Sequence, residues 1–155
     1  MVDLTIRRLT AGWPKSWSYD KDDPDIQIYY SQQNPNSAIN KTSSFFYGKK
    51  LWDVFTYAMC IGKMNNDFDP IKGTPSNSIP IDHVDDWHVT AMISIMMSEK
   101  NVDLNIFDTP EKIRDICQGY ANGGIKKLME IDDDKFKDDA NERFGDELMK
   151  FFKSK

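Results

Sequence analysis

The sequence predicts a mostly α fold, a single-domain helical bundle of four to five helices with an irregular, aromatic-rich N-terminal arm. Three observations predict this class. The length of 155 residues suits one ordinary domain with a sizeable core. Two segments, at about 45–64 and 86–99, are apolar over most of a helical circumference, which is typical of helices buried at the centre of a fold. Two more, at about 110–121 and 134–152, each carry one apolar stripe and are expected to pack around the central pair.

The net charge and the length of the apolar runs argue against several classes of protein. The net charge is −5, which argues against a protein that wraps nucleic-acid backbone, because phosphate binding needs concentrated Lys and Arg. The longest apolar runs are far shorter than the about 20 residues that a membrane span needs, and no apolar N-terminal segment indicates a secretory signal. We therefore expect a cytoplasmic protein without a membrane partner. Cys60 and Cys117 are expected to be buried, reduced thiols.

Residues 1–41 are assigned to the N-terminal arm and residues 42–155 to the helical domain. Prolines at positions 14, 24 and 35 interrupt any helix in the arm. Residues 25–30 begin with alternating polar and apolar side chains, which favours a short strand or an extended packing segment. The arm is rich in aromatic residues, which either pack on the helical body or form a partner-binding surface. These residues are Trp13, Trp17, Tyr19, Tyr29 and Tyr30.

Each helix of the predicted domain has recognisable ends. Residues 42–44 offer side chains that could cap the first helix, and a long proline-containing loop at 65–85 separates it from the second. Asp85 and Asp86 suit the positive end of the second helix. Thr109 and Pro110 form a start signal for the third. Asn122 and the two glycines after it accept positive φ, so the third helix is expected to stop there and the chain to change direction.

A search for catalytic or metal-binding groups finds one concentration of histidine and carboxylate. It consists of Asp82, His83, Asp85, Asp86 and His88. The two histidines are five residues apart, whereas a zinc-binding helix face places them four apart with a Glu between. The two aspartates at 85 and 86 are explained by the start of a helix. The chain also lacks a Gly-x-Ser-x-Gly elbow and a phosphate-binding glycine-rich loop. We therefore expect a protein that is not an enzyme and has neither cofactor nor metal.

One stretch of the sequence resembles a known family. A helix at residues 54–62 leads through a proline-containing loop and an apolar helix to Ile116-Cys117-Gln118-Gly119-Tyr120-Ala121-Asn122-Gly123-Gly124-Ile125-Lys126-Lys127-Leu128. This order resembles the Dnd system-associated protein four family, small accessory proteins of prokaryotic DNA-phosphorothioation and restriction loci. The resemblance covers about residues 45–131, and its sharpest element is Tyr120, Ala121, Asn122, Gly123 and Gly124. It implies a subunit of a defence system against foreign DNA and assigns these five residues a structural role only.

Three functions follow as hypotheses. The first is a non-enzymatic interaction subunit of an anti-phage defence or DNA-phosphorothioation-linked complex, with other protein subunits as partners and DNA reached through them. The second is a DNA-binding module of such a complex, whose candidate contacts are Arg7, Arg8, Lys49, Lys50, Lys126 and Lys127. The third is a metal-dependent hydrolase that uses Asp82, His83, Asp86 and His88.

Overall fold

The computed structural model describes residues 10–99 and 103–133. Within these ranges the fold has four α-helices and a single ribbon of two short strands, which confirms the mostly α class. The helices are α1 (Pro24–Tyr30), α2 (Leu51–Met64), α3 (Asp86–Ser98) and α4 (Pro110–Asp132). The strands are β1 (Ser16–Trp17) and β2 (Ile79–Pro80), and short 3-10 helices span Ile81–His83 and Leu104–Asp108. The helix predicted at 134–152 lies outside the described residues.

Helix α2 forms the centre of the fold, as its all-round apolar sequence predicts. Ten of its 14 residues are buried. It begins at Leu51 and not near residue 45, because residues 42–44 do not cap it. Ser44 instead donates its hydroxyl to Asp132 Oδ2, at 2.7 Å, at the far end of α4. Cys117 is a buried thiol, as is Cys60, and burial raises the pKa of the Cys117 thiol, which keeps it protonated and unreactive.

The predicted turn at Asn122 is wrong, because α4 runs without a break from Pro110 to Asp132. The glycines there serve close packing between helices. A Cβ on Gly124 would overlap the carbonyl oxygen of Ala58, and one on Gly62 would overlap the carbonyl oxygen of Tyr120. The backbones of α2 and α4 therefore meet at this crossing with no side chain between them. Tertiary packing outweighs the low helix propensity of glycine.

The rest of the Tyr120–Gly124 motif holds the loop that follows α2. Asn122 Nδ2 donates to the backbone oxygen of Asp69, at 2.9 Å. A Cβ on Gly123 would overlap the carbonyl oxygen of Asp67. The Tyr120 ring packs edge-on against Phe68, with ring centroids 5.1 Å apart. In the structure these residues pack α4 against the loop after α2, and they do not reverse the chain.

Residues 24–30 form helix α1, so the short strand or extended segment predicted for residues 25–30 is wrong. Asp23 caps this helix, because its side chain accepts from the amides of Asp25 and Ile26, and Pro24 occupies the first turn. The remainder of the arm pairs with the loop before α3 through an antiparallel ribbon, in which Ser16 faces Pro80 and Trp17 faces Ile79. The arm thus packs against the helical body at two points, one through β1 and one through α1.

Hydrogen bonds to the Asp132 carboxylate connect the arm and the segment before α2 to the end of α4. Tyr29 donates its hydroxyl to Asp132 Oδ2 at 2.7 Å, and the Phe45 amide donates to Asp132 Oδ1 at 2.7 Å. With the Ser44 hydroxyl, three donors converge on one carboxylate. A carboxylate at a helix C-terminus faces the negative end of the helix dipole, and these donors offset that repulsion. Burial, aided by the Asp132 charge, raises the pKa of Tyr29, so its hydroxyl stays protonated and remains a donor.

Candidate functional site

The histidine and carboxylate residues between 82 and 88 do not form one site. Asp82 and His83 are exposed in the 3-10 helix, whereas His88 is fully buried. Within residues 10–99 and 103–133, no group of three His, Cys, Asp or Glu side chains could hold a metal ion. The described part of the chain therefore contains no set of metal ligands of the kind that the hydrolase hypothesis requires.

His88 instead joins two helix N-termini. The Asp85 amide donates to His88 Nδ1 at 2.8 Å, and His88 Nε2 lies 2.7 Å from Asp53 Oδ1. Because Nδ1 accepts, the proton of the neutral ring is on Nε2, which donates to Asp53. The other oxygen of Asp53 accepts from the Lys50 amide at 2.9 Å, which caps α2. Both ring nitrogens are engaged, so this Asp–His pair holds the starts of α2 and α3 together and leaves no nitrogen for general base catalysis.

The hydrogen bonds at Asp53 favour its charged form. Burial, the largest influence, acts to raise the pKa of Asp53, but the bonds from His88 and the Lys50 amide outweigh it and lower the pKa overall. A carboxyl with a lowered pKa in the folded protein contributes stability above its ordinary pKa, and loses that contribution as the pH falls through the lowered value.

We expect Asp53→Asn to cost about 2 kcal/mol of unfolding free energy at pH 7, because one of the two groups that donate to Asp53, the Lys50 amide or His88 Nε2, would then face the NH2 group of asparagine. The difference from wild type should narrow as the pH falls below the ordinary carboxyl pKa of about 4, and should be lost as the pH falls through the lowered pKa of Asp53. Urea unfolding at a series of pH values measures this. The exposed Asp82→Asn is the charge-matched control and should follow the wild type throughout. A constant difference between Asp53→Asn and wild type down to pH 2.5 would contradict the assigned bonds.

Two large apolar side chains of α3 are exposed, one near each end of the helix. Trp87 in the first turn is 42% exposed and Met97 in the last turn is 51% exposed, and the polar Thr90 and Ser94 lie between them on the outer side. The Trp87 ring extends this side to α2, because it packs edge-on against Tyr57 with ring centroids 5.9 Å apart. We call the exposed Trp87 ring and the half-buried Tyr57 ring against it the Trp87 surface. The sequence predicts that α3 is apolar nearly all round and buried at the centre, but in the structure one side of the helix faces solvent.

The arm aromatics lie mainly inside the fold. Trp17 is fully buried against Trp52 and Phe55, with ring centroids 5.4 and 5.9 Å away. Tyr19 is half-buried and stacks on Tyr30 at 4.6 Å. The remaining three are buried, namely Trp13, Tyr29 and Tyr30. Of the two alternatives for these residues, the structure favours packing on the body, since buried rings offer a partner little area.

The candidate DNA-contacting lysines lie next to acidic or aromatic groups. Lys49 lies over the ring of Phe45, at 4.3 Å. The other three pair with carboxylates, Lys50 with Asp85 at 2.9 Å, Lys126 with Asp23 at 3.6 Å and Lys127 with Glu130 at 3.5 Å. Lys126 and Lys127 also line a cleft of about 340 Å³ that four aspartates share. These carboxylates reduce the positive potential available to phosphate. Arg7 and Arg8 lie outside the described residues.

Comparison of the chain with known protein families, curated proteins and solved structures finds no match. In residues 10–99 and 103–133, no helix is both long and apolar enough to cross a membrane.

Proposed function

We propose that this protein is a non-enzymatic accessory subunit that binds a partner protein through the Trp87 surface. The observation that carries the proposal is the exposure of Trp87, at 42%, with the Tyr57 ring packed edge-on against it. Tryptophan, tyrosine and methionine are enriched at protein interfaces, and an exposed tryptophan beside a tyrosine is typical of residues that dominate binding energy. Lys49, which projects over Phe45 next to Tyr57, adds a charged rim to the aromatic centre.

We further propose that the partner belongs to a prokaryotic anti-phage defence or DNA-phosphorothioation-linked complex. The support for this finer statement is the resemblance of residues 45–131 to the Dnd system-associated protein four family, with Tyr120–Gly124 as its sharpest element. In such a complex the protein would work by contact, and DNA would be handled by other subunits.

Co-purification of the full chain with the proteins encoded by neighbouring genes tests this proposal. We expect one of them to bind, and Trp87→Ala to weaken that binding by about 30-fold, which corresponds to the roughly 2 kcal/mol typical of a tryptophan hot spot. Ile28→Ala is the matched control, because Ile28 on α1 is similarly exposed, at 41%, and lies in another element. A chain that stays monomeric and binds none of these proteins would refute the proposal. Equal loss of binding in both variants would show that the interface is elsewhere.

A further inference from the structure

Carboxylates lie beside both rings of the Trp87 surface. Asp86 immediately precedes Trp87 at the start of α3. Asp53 lies one helical turn before Tyr57 on the same side of α2. Burial is the largest cause of the raised pKa of Tyr57, and the negative charge of Asp53 raises it further, so this carboxylate is within electrostatic reach of the phenol. The surface therefore favours a positively charged group from a partner.

Asp86 has no positive partner among the described residues. Its neighbour Asp85 is paired with Lys50, whose Nζ lies 2.9 Å from Oδ2. In residues 10–99 and 103–133, no lysine, arginine or histidine forms an ion pair with Asp86, and its Oδ1 is buried there without a hydrogen-bond partner. A polar atom that is removed from water without a partner costs free energy. A cationic group that approached this carboxylate would offset that cost.

The aromatic rings of this region already hold one cation of the chain itself. Lys49 Nζ lies over the Phe45 ring, 4.3 Å from its centroid. Phe45 packs edge-on against Tyr57 with ring centroids 5.5 Å apart, and Tyr57 packs edge-on against Trp87 at 5.9 Å. The three rings thus form a row with Lys49 at the Phe45 end. At the other end, no lysine or arginine of the described ranges lies over the Trp87 ring, although tryptophan attracts a cation more strongly than phenylalanine or tyrosine does.

We propose that the partner places an arginine side chain on the exposed Trp87 ring and pairs it with the Asp86 carboxylate. This statement rests on the proposed function and adds the chemistry that the partner carries at the same surface. A guanidinium is planar, so it stacks on an aromatic face while its N–H groups donate in its own plane to a carboxylate. The net charge of −5 adds a long-range attraction for a basic segment of the partner.

Binding of the partner by charge variants of the full chain tests the arginine contact. Asp86→Asn keeps the shape of the side chain and removes its charge, and we expect it to weaken the complex about tenfold, because the guanidinium loses a charge-assisted hydrogen bond. Asp115→Asn is the matched control, since it removes the same charge from an exposed position of α4 and should bind as the wild type does.

The variants separate this contact from the proposed function. Wild-type affinity of Asp86→Asn, together with a loss in Trp87→Ala, would overturn the arginine contact and leave the proposed function intact. Equal losses in Asp86→Asn and Asp115→Asn would also overturn it, because they would report only the net charge of the chain.

A titration of the full, ¹⁵N-labelled chain with a blocked tripeptide, arginine between two glycines, tests the same contact without a protein partner. We expect the Trp87 indole signal to shift, and the signal of the Trp52 indole, which is buried and donates to Pro80, to stay unmoved. The corresponding citrulline tripeptide has nearly the same shape and no charge, and should bind about fivefold more weakly.

Three results of this titration decide between the alternatives. Equal binding of the two tripeptides, or no shift at Trp87, would overturn the arginine contact whether or not a protein partner is found. A shift of the Trp87 signal on dilution of the chain alone would show that a second copy occupies the surface, and would overturn it as well. A preference for arginine, with no binding protein among the products of neighbouring genes, would support the contact and refute only the proposed function.

Discussion

Gly124→Ala is expected to destabilise the fold by about 3 kcal/mol, although alanine is a better helix former than glycine. The added methyl group would overlap the Ala58 carbonyl oxygen and the Gly62 amide nitrogen of α2. Both are backbone atoms inside a buried helix, so no side chain can rotate away to make room. Relief requires α2 and α4 to separate, which would loosen the packing of side chains along their shared core. Urea unfolding of wild type and variant measures the loss.

The neighbouring Gly119 provides a control in the same helix. The atoms nearest to a Cβ there belong to the ring of Phe68, a side chain that is 47% exposed and can shift into solvent. We therefore expect Gly119→Ala to change the free energy of unfolding by less than about 1 kcal/mol, with the helix propensity of alanine compensating for the shifted ring. Equal losses in Gly119→Ala and Gly124→Ala would show that the crossing of α2 and α4 is not as tight as described.

The same crossing shows what the sequence could and could not predict. The Asn-Gly-Gly triplet has strong local turn character, and that signal favoured a chain reversal. The competing signal was in α2, where Ala58 and Gly62 are four residues apart and so lie on the same face of the helix. Small residues at this spacing on a buried helix permit close approach of a second backbone. The close packing depends on small residues in both helices, so the sequence of either helix alone does not predict it.

A proline in the first turn marks the start of both α1 and α4. The pair Thr109-Pro110 correctly marks the beginning of α4. The pair Asp23-Pro24 begins α1, where the Asp23 side chain caps the helix, whereas Thr109 makes no capping hydrogen bond at the start of α4. The alternation in residues 25–30 favours a strand instead of this helix. A proline in the first turn, preceded by a capping side chain, was the stronger signal.

The role of His88 depends on a residue far away in the sequence. Asp53, its partner, is 35 positions earlier, and the local pattern offered only the neighbouring aspartates. Each of the two residues is the third of its own helix and reaches back to the amide that precedes the helix. Neither Lys50-x-x-Asp53 nor Asp85-x-x-His88 matches the Ser/Thr-x-x-Glu/Gln pattern of a capping box, and the contact between the two caps depends on the packing of α2 against α3.

Trp17→Ala is expected to have the largest effect of all, a loss of about 4 kcal/mol in unfolding free energy. The Trp17 ring is fully buried and packs against Trp52 and Phe55 of α2. It also belongs to β1, where it faces Ile79. Removal of the ring would leave a large cavity between the arm, β2 and α2, and would weaken the attachment of the arm to the body. Thermal unfolding, with limited proteolysis of the arm, measures both consequences.

Trp87→Ala provides the matched control, because it removes the same side chain from an exposed position and is expected to cost less than about 1 kcal/mol. The two variants also test whether the aromatic residues of the arm pack on the helical body or bind a partner. Rings that served mainly a partner would be dispensable for folding, so a small loss in Trp17→Ala would contradict the packing described for the arm. If Trp17→Ala loses much unfolding free energy and Trp87→Ala remains stable, the buried Trp17 stabilises the fold and the exposed Trp87 is not needed for folding.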